Sequence, residues 1–217
     1  MKKIIISIFV LIFMTLGGLA QDKKVEIGLQ VGYGYDMPKP ANDTVLNSNG
    51  FYGGPIVKFK INETFGIQTG ILYNYYSATN LMSSLSVKNL TGVWTQFRNT
   101  SQYLDFPIKM SYTVPLADEF SIDLLVGPNL NVGLNRKVYY DSYADNKLLI
   151  GYPHIVKDYY SQTSDILPLD VQFGIGAAIY YNHFSVRAGY DWGLLDRDKS
   201  ANTLKGNNIK IGLAYTF

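Results

Sequence analysis

The 217 residues contain no cysteine and two histidines, so thiolate metal sites and disulfide frameworks are excluded. Aromatic residues and glycine are plentiful, with 18 Tyr, 11 Phe and 20 Gly, a mix that favours strands over helices. The charges, 19 Lys+Arg against 17 Asp+Glu, lack the basic excess of a nucleic-acid binder.

The first element is a leader. Lys2 and Lys3 precede an apolar run from Ile4 to Leu16, and Gly18 and Ala20 supply small residues before Gln21. This is the pattern of a helical secretory signal peptide over 1–20, cleaved after Ala20. Ile4 to Ala20 is 17 residues, at the short limit for a membrane-spanning helix. Cleavage takes two lysines with it and leaves the remaining domain, 21–217, formally neutral. No apolar run long enough for a helical span follows.

Eight segments then alternate apolar and polar residues with period two. They are 24–34, 52–61, 65–76, 103–114, 120–131, 167–181, 184–192 and 207–217. Each is about the 9–11 residues with which a tilted strand crosses a bilayer. The links alternate in length. Residues 62–64, 115–119 and 182–183 are short; 35–51, 77–102, 132–166 and 193–207 are long. Short turns on one rim and long loops on the other are the asymmetry of an outer-membrane barrel. The last strand ends on Tyr215 and Phe217, and its position at the terminus is explained if it pairs with the first strand and closes a ring.

Alternation alone fits a soluble barrel of lipocalin type equally well. The composition of the two faces decides for the membrane form. One face is dense in Ile, Val, Leu, Phe and Tyr. The other holds five acids (Glu26, Asp105, Asp123, Asp170, Asp191), five bases (Lys58, Lys60, Lys109, Arg187, Lys210), glycines and amides. An eight-stranded lumen is just filled by side chains, so it needs small residues and compensated charge. These ten residues are the expected lumen charge network, with Lys58, Lys109 and Arg187 opposite the aspartates. Tyr33, Tyr75, Tyr112, Tyr190 and Trp192 fit interfacial girdles. The expected fold is therefore an all-β, eight-stranded, antiparallel up-and-down transmembrane barrel in the bacterial outer membrane. Pro107 is expected at a bulge or strand irregularity, where it tunes barrel curvature or, alternatively, re-aims Asp105 and Lys109 in the lumen.

Candidate chemistry is sparse. His154, Asp158 and Ser161 share one long loop, but no nucleophile motif frames them. His154 and His183 are expected on opposite rims and cannot share a metal. Asp141, Asp145 and Asp158 lack calcium-loop spacing. "GYGYD" at 32–36 lacks the strand-to-helix context of a phosphate loop. The reading is a non-enzymatic protein without cofactor, with two alternatives: a lipid-modifying enzyme at the outer rim or a narrow pore. The long loops 77–102 and 132–166, the second rich in Tyr, suit contacts with an envelope protein or glycan.

"YLDFPIKMSY" (103–112), "VRAGYDWGL" (186–194) and the C-terminal strand together resemble the PorT-type outer-membrane β-barrel family of Bacteroidota, small barrels of OmpA-like size. Tyr103, Leu104, Asp105, Phe106 and Pro107 carry the pattern that opens a central strand. The resemblance implies outer-membrane location and a link, in some members, to protein secretion. It brings no catalytic residue. It also implies that Tyr215 and Phe217 form a signal for the barrel assembly machinery.

Overall fold

The computed structural model describes residues 24–40, 47–82, 93–144, 147–148, 155–158, 160, 166–198 and 204–217. The expected leader, residues 1–20, lies outside them. Among the described residues there are eight long strands. These are β1 (Val25–Asp36), β2 (Ser48–Lys60), β3 (Phe65–Gly70 and Leu72–Met82), β4 (Val93–Ala117), β5 (Phe120–Ala144), β6 (Leu169–Tyr181), β7 (Phe184–Gly193) and β8 (Asn207–Thr216). Each pairs antiparallel with the next. Gly28 to Asp36 of β1 pair with Thr216 to Asn208 of β8, so the sheet closes. Closure removes both edges, and every strand gains a partner on each side.

The short turns lie on the rim that carries both ends of the described chain. Asn62 builds the first of them, its Oδ1 accepting the amides of Thr64 and Phe65 at 2.9 and 2.7 Å. Asn182 supplies another by taking φ 51°, a left-handed conformation that Asn tolerates. The amide of Thr216 bonds to His183 O and that of Phe217 to Ile27 O, which fastens the last strand at this rim.

Burial is inverted relative to a water-soluble protein. Asn74, Asp123 and Asp170 are wholly buried, while Val31, Ile211 and Leu213 are 57–61% exposed. Amides and charges face inward and most aliphatic and aromatic side chains face outward, although Ile27, Tyr52, Ile56, Leu72, Tyr76 and Tyr103 are buried. Aromatic pairs mark both ends of the outer band. Phe65–Tyr112, Phe120–Tyr181 and Phe184–Tyr215 stack near the short-turn rim. Tyr33–Phe51 and Tyr190–Trp192 lie toward the other.

Two sequence expectations are corrected. Residues 77–102 and 132–166 were expected to be loops, yet β3 runs to Met82, β4 begins at Val93 and β5 continues to Ala144. Ile155–Asp158 adds to this extension by pairing with Lys137 to Tyr140. The 25 residues of β4 span roughly 80 Å at about 3.3 Å each. Tilted by about 40°, they rise about 60 Å, twice the ~30 Å hydrocarbon core. The outer part of the β4–β5 hairpin therefore stands clear of the membrane. Period-two alternation fades in this stretch of the sequence.

The expected bulge at Pro107 is also corrected. Pro107 stays in regular register with Asn129. The register shifts lie between Gln102 and Tyr103 and between Pro115 and Ala117. At the first, Leu134 is the extra residue, because Tyr103 pairs with Gly133 and Gln102 with Asn135. An extra residue reverses the in–out alternation beyond it. This turns Arg136 into the interior, where it is buried. Proline acts instead on β3. The break at Ile71 lies beside Pro55 of β2, whose carbonyl accepts the Ile71 amide at 3.0 Å, and on its other side the pairing with β4 lapses between Thr69–Ile108 and Leu72–Asp105, the stretch that holds Pro107. A proline on either side withholds ladder donors there.

Candidate functional site

The concave, polar part of the molecule is the lumen, and it is built in layers. Nearest the short-turn rim, Lys60 pairs with Glu26, both partly exposed. Above them the Lys58 ammonium meets Asp123 at 2.6 Å and Thr113 Oγ1 at 3.1 Å. Thr113 in turn donates to Asp123 at 2.6 Å. Lys58 comes from β2, Thr113 from β4 and Asp123 from β5, so this layer spans the barrel.

The next layer is a crossbar. Arg187 of β7 donates from Nη1 to Gln30 Oε1 at 3.0 Å, and from Nη2 to Gln68 Oε1 at 2.5 Å and to Tyr180 Oη at 2.7 Å. Its partners lie on β1, β3 and β6. Lys109 pairs with Asp191 at 2.5 Å and also bonds to Gly127 O at 2.9 Å. Gly127 has φ 152°, a conformation that β-carbons disfavour, and a side chain there would strike the backbone carbonyl of Ile108.

Asp105 forms the layer above. Its carboxylate pairs with Lys210 and accepts Asn74 Nδ2 at 3.0 Å and Asn131 Nδ2 at 2.6 Å. Gln172 joins Asn129 at 3.0 Å, Asn208 at 3.1 Å and Asp170 at 3.2 Å. A buried carboxylate with three donors is compensated both in charge and in hydrogen bonds.

The outer mouth is capped from the loops. Arg197 is 5% exposed, donates through Nη2 to Tyr160 and through Nε to Leu167 O at 3.2 Å, and lies 5.7 Å from the rings of Tyr103 and Tyr160. Backbone bonds from Leu167 to Arg197 and from Arg197 to Leu204 fix the segment across the opening. Burial raises the Tyr160 phenol above its ordinary range.

All ten sequence-predicted charges thus face inward, eight of them in four ion pairs. Arg187 departs from the expected carboxylate pairing, since its hydrogen-bond partners are two amides and a phenol. Asp170 bonds to Gln172 and interacts electrostatically with Arg197. Arg136 and Arg197 were not anticipated. Arg136 depends on the bulge at Leu134, and Arg197 lies in a loop without periodicity. Tyr215 and Phe217 stand on the outer face with ring centroids 5.3 Å apart. Of the loop candidates, His154, Ser161 and Asp145 fall outside the described residues, as does the side chain of Asp141. Asp158 Oδ1 accepts the Tyr160 amide at 3.0 Å, a local turn contact. Among the described residues no group of acidic and histidine side chains could hold a metal.

Residues 19–198 match a family described as outer membrane protein beta-barrel domain. The chain belongs to that family. The family's place is the bacterial outer membrane, and the inverted burial calls for an apolar surround such as a bilayer. Among solved structures, Ail of Yersinia pestis shares 14% identity with a TM-score of 0.42, covering 89% of this chain and 99% of its own. Neisserial surface protein A shares 10% (TM-score 0.43; 88% and 97% covered). OprG of Pseudomonas aeruginosa shares 9% (TM-score 0.41; 88% and 95%). No curated protein matches the chain. In this outer-membrane barrel the outward apolar band is the lipid contact, and the charged layers are the filling of its lumen.

Proposed function

We propose that this barrel is a non-enzymatic, structural or accessory component of an outer-membrane assembly. The observation that carries the reading is the filled lumen combined with the projecting β4–β5 hairpin. Successive layers of paired charge and an arginine cap leave little room for solute passage. A sheet that continues well beyond the bilayer offers surface to a partner outside it. The resemblance of 103–112 and 186–194 to the PorT-type family of Bacteroidota supports a secretion-linked assembly. The Tyr-rich segment from Tyr139 outward suits an envelope protein or glycan. Biogenesis would use the leader over 1–20 for export and Tyr215 and Phe217 for the barrel assembly machinery.

The test is gentle extraction of the native protein from its own outer membrane, then a native gel with mass spectrometry of the band. Stoichiometric partners in the band are expected. A lone chain with bound detergent would overturn the assembly role.

A further inference from the structure

We propose that the lumen holds a small monovalent anion of halide class, bound at Arg187. The proposal rests on the lumen geometry and not on the assembly role above. Arg187 is 4% exposed, and no carboxylate among the described residues lies within ion-pair distance of it. Its three hydrogen bonds go to neutral groups, and its Nε–H has no partner. A buried guanidinium without a counter-charge is costly in a low-dielectric interior. The four lumen lysines treat the problem differently. Lys58, Lys60, Lys109 and Lys210 each meet a carboxylate.

Arg187 lines a central cavity of about 80 Å³. The charged residues around that cavity are Lys109, Arg187 and Lys210 against Asp105 and Asp191, one positive charge in excess. Space for a water is about 30 Å³ in the liquid. The cavity therefore takes one halide and one or two waters, and such a water can reach the unpartnered Oδ1 of Asn129 on the same wall. A larger oxyanion with several charges would face Asp105 and Asp191 at close quarters, so the site selects a small single charge.

There is also a route. On the short-turn side a vestibule of about 640 Å³, lined by Lys24, Lys58 and Lys60 together with Glu26, Glu63, Asp118 and Glu119, reaches inward to Tyr180. The Tyr180 hydroxyl is in contact with Arg187 at 2.7 Å. A single-charged anion that passes these mixed charges reaches the guanidinium once Tyr180 shifts aside.

The test uses the full chain extracted from outer membranes. Crystals grown in sodium bromide should give an anomalous peak in the central cavity, within hydrogen-bond reach of Arg187 Nε. Water density there with no bromide signal would overturn the proposal. In parallel, thermal unfolding is compared in chloride and in gluconate at equal ionic strength. A tenfold excess of chloride over its dissociation constant should raise the midpoint by about 3 °C or more, saturably. Arg187→Met should abolish that rise. An equal rise in gluconate, or one that persists in the variant, would assign the effect to surface screening and refute the site. If Arg187→Met does not fold, the bromide map of the unaltered protein decides alone.

Discussion

Asp105→Ala tests the central layer of the lumen. The Asp105 carboxylate is 1% exposed and collects three donors: the Lys210 ammonium and the side-chain amides of Asn74 and Asn131. Removing one partner of a buried ion pair costs about 3–5 kcal/mol, because the other charge stays buried. Each amide left without an acceptor adds about 1 kcal/mol. Water entering the new space returns part of this, so the expected net loss is about 3–5 kcal/mol. Lys210→Met should cost less, about 2–3 kcal/mol, because the carboxylate keeps its two amide donors. Combining Asp105→Ala with Lys210→Met removes both charges, so neither is left buried alone. The double variant should therefore be more stable than additivity predicts, by about 2–3 kcal/mol. Equilibrium urea unfolding in phospholipid vesicles, followed by tryptophan fluorescence, measures all four proteins. Additivity within about 0.5 kcal/mol would show that the ammonium and carboxylate do not interact in the native lumen.

Ile211→Arg places a charge on the outward face of β8, where Ile211 is 57% exposed, and should cost about 2–4 kcal/mol in vesicles; a change below about 0.5 kcal/mol would mean that the face meets water. Gly212→Val should prevent closure of the β1–β8 seam, because its β-carbon would run into the Tyr52 hydroxyl and the Val31 carbonyl. The check is the compact band of unheated protein on a denaturing gel, which should vanish; its persistence would show that the seam tolerates bulk. In planar bilayers the unaltered protein should be electrically silent, and Arg187→Ala with Gln68→Ala should introduce conductance steps by removing the crossbar. Steps from the unaltered protein would favour a pore over an assembly component.

Much of the fold is legible in the sequence because lipid imposes a strict contrast. Ile209, Ile211 and Leu213 face hydrocarbon while Lys210 and Gly212 face the lumen, and period two follows wherever both environments flank a strand. Beyond the bilayer the contrast ends. "QFRNTSQ" at 96–102 has one apolar residue, Phe97, so its strand character is hidden, and pairing with 135–141 reveals it. The inward set was readable for the same reason, but the pairing was not. Lys58 and Asp123 are 65 positions apart, and which cation meets which acid depends on register and barrel stagger. The single extra residue at Leu134 shows the limit most clearly. It reverses the alternation and brings Arg136 inside, against what its place in the pattern implies.

The central claim is that the outward apolar band contacts lipid, and Trp192 tests it directly. Trp192 stands on the outer face, 40% exposed and in edge contact with Tyr190. The chain has one other tryptophan, Trp94, at the far end of β4, so a Trp94→Phe variant isolates the probe. Its fluorescence is recorded in vesicles of lipids brominated at different acyl depths. Strong quenching is expected, greatest with bromine near the headgroup end and weaker at the midplane, as for an interfacial girdle residue. Fluorescence unaffected by bromine at every depth would place Trp192 in water and contradict the membrane barrel.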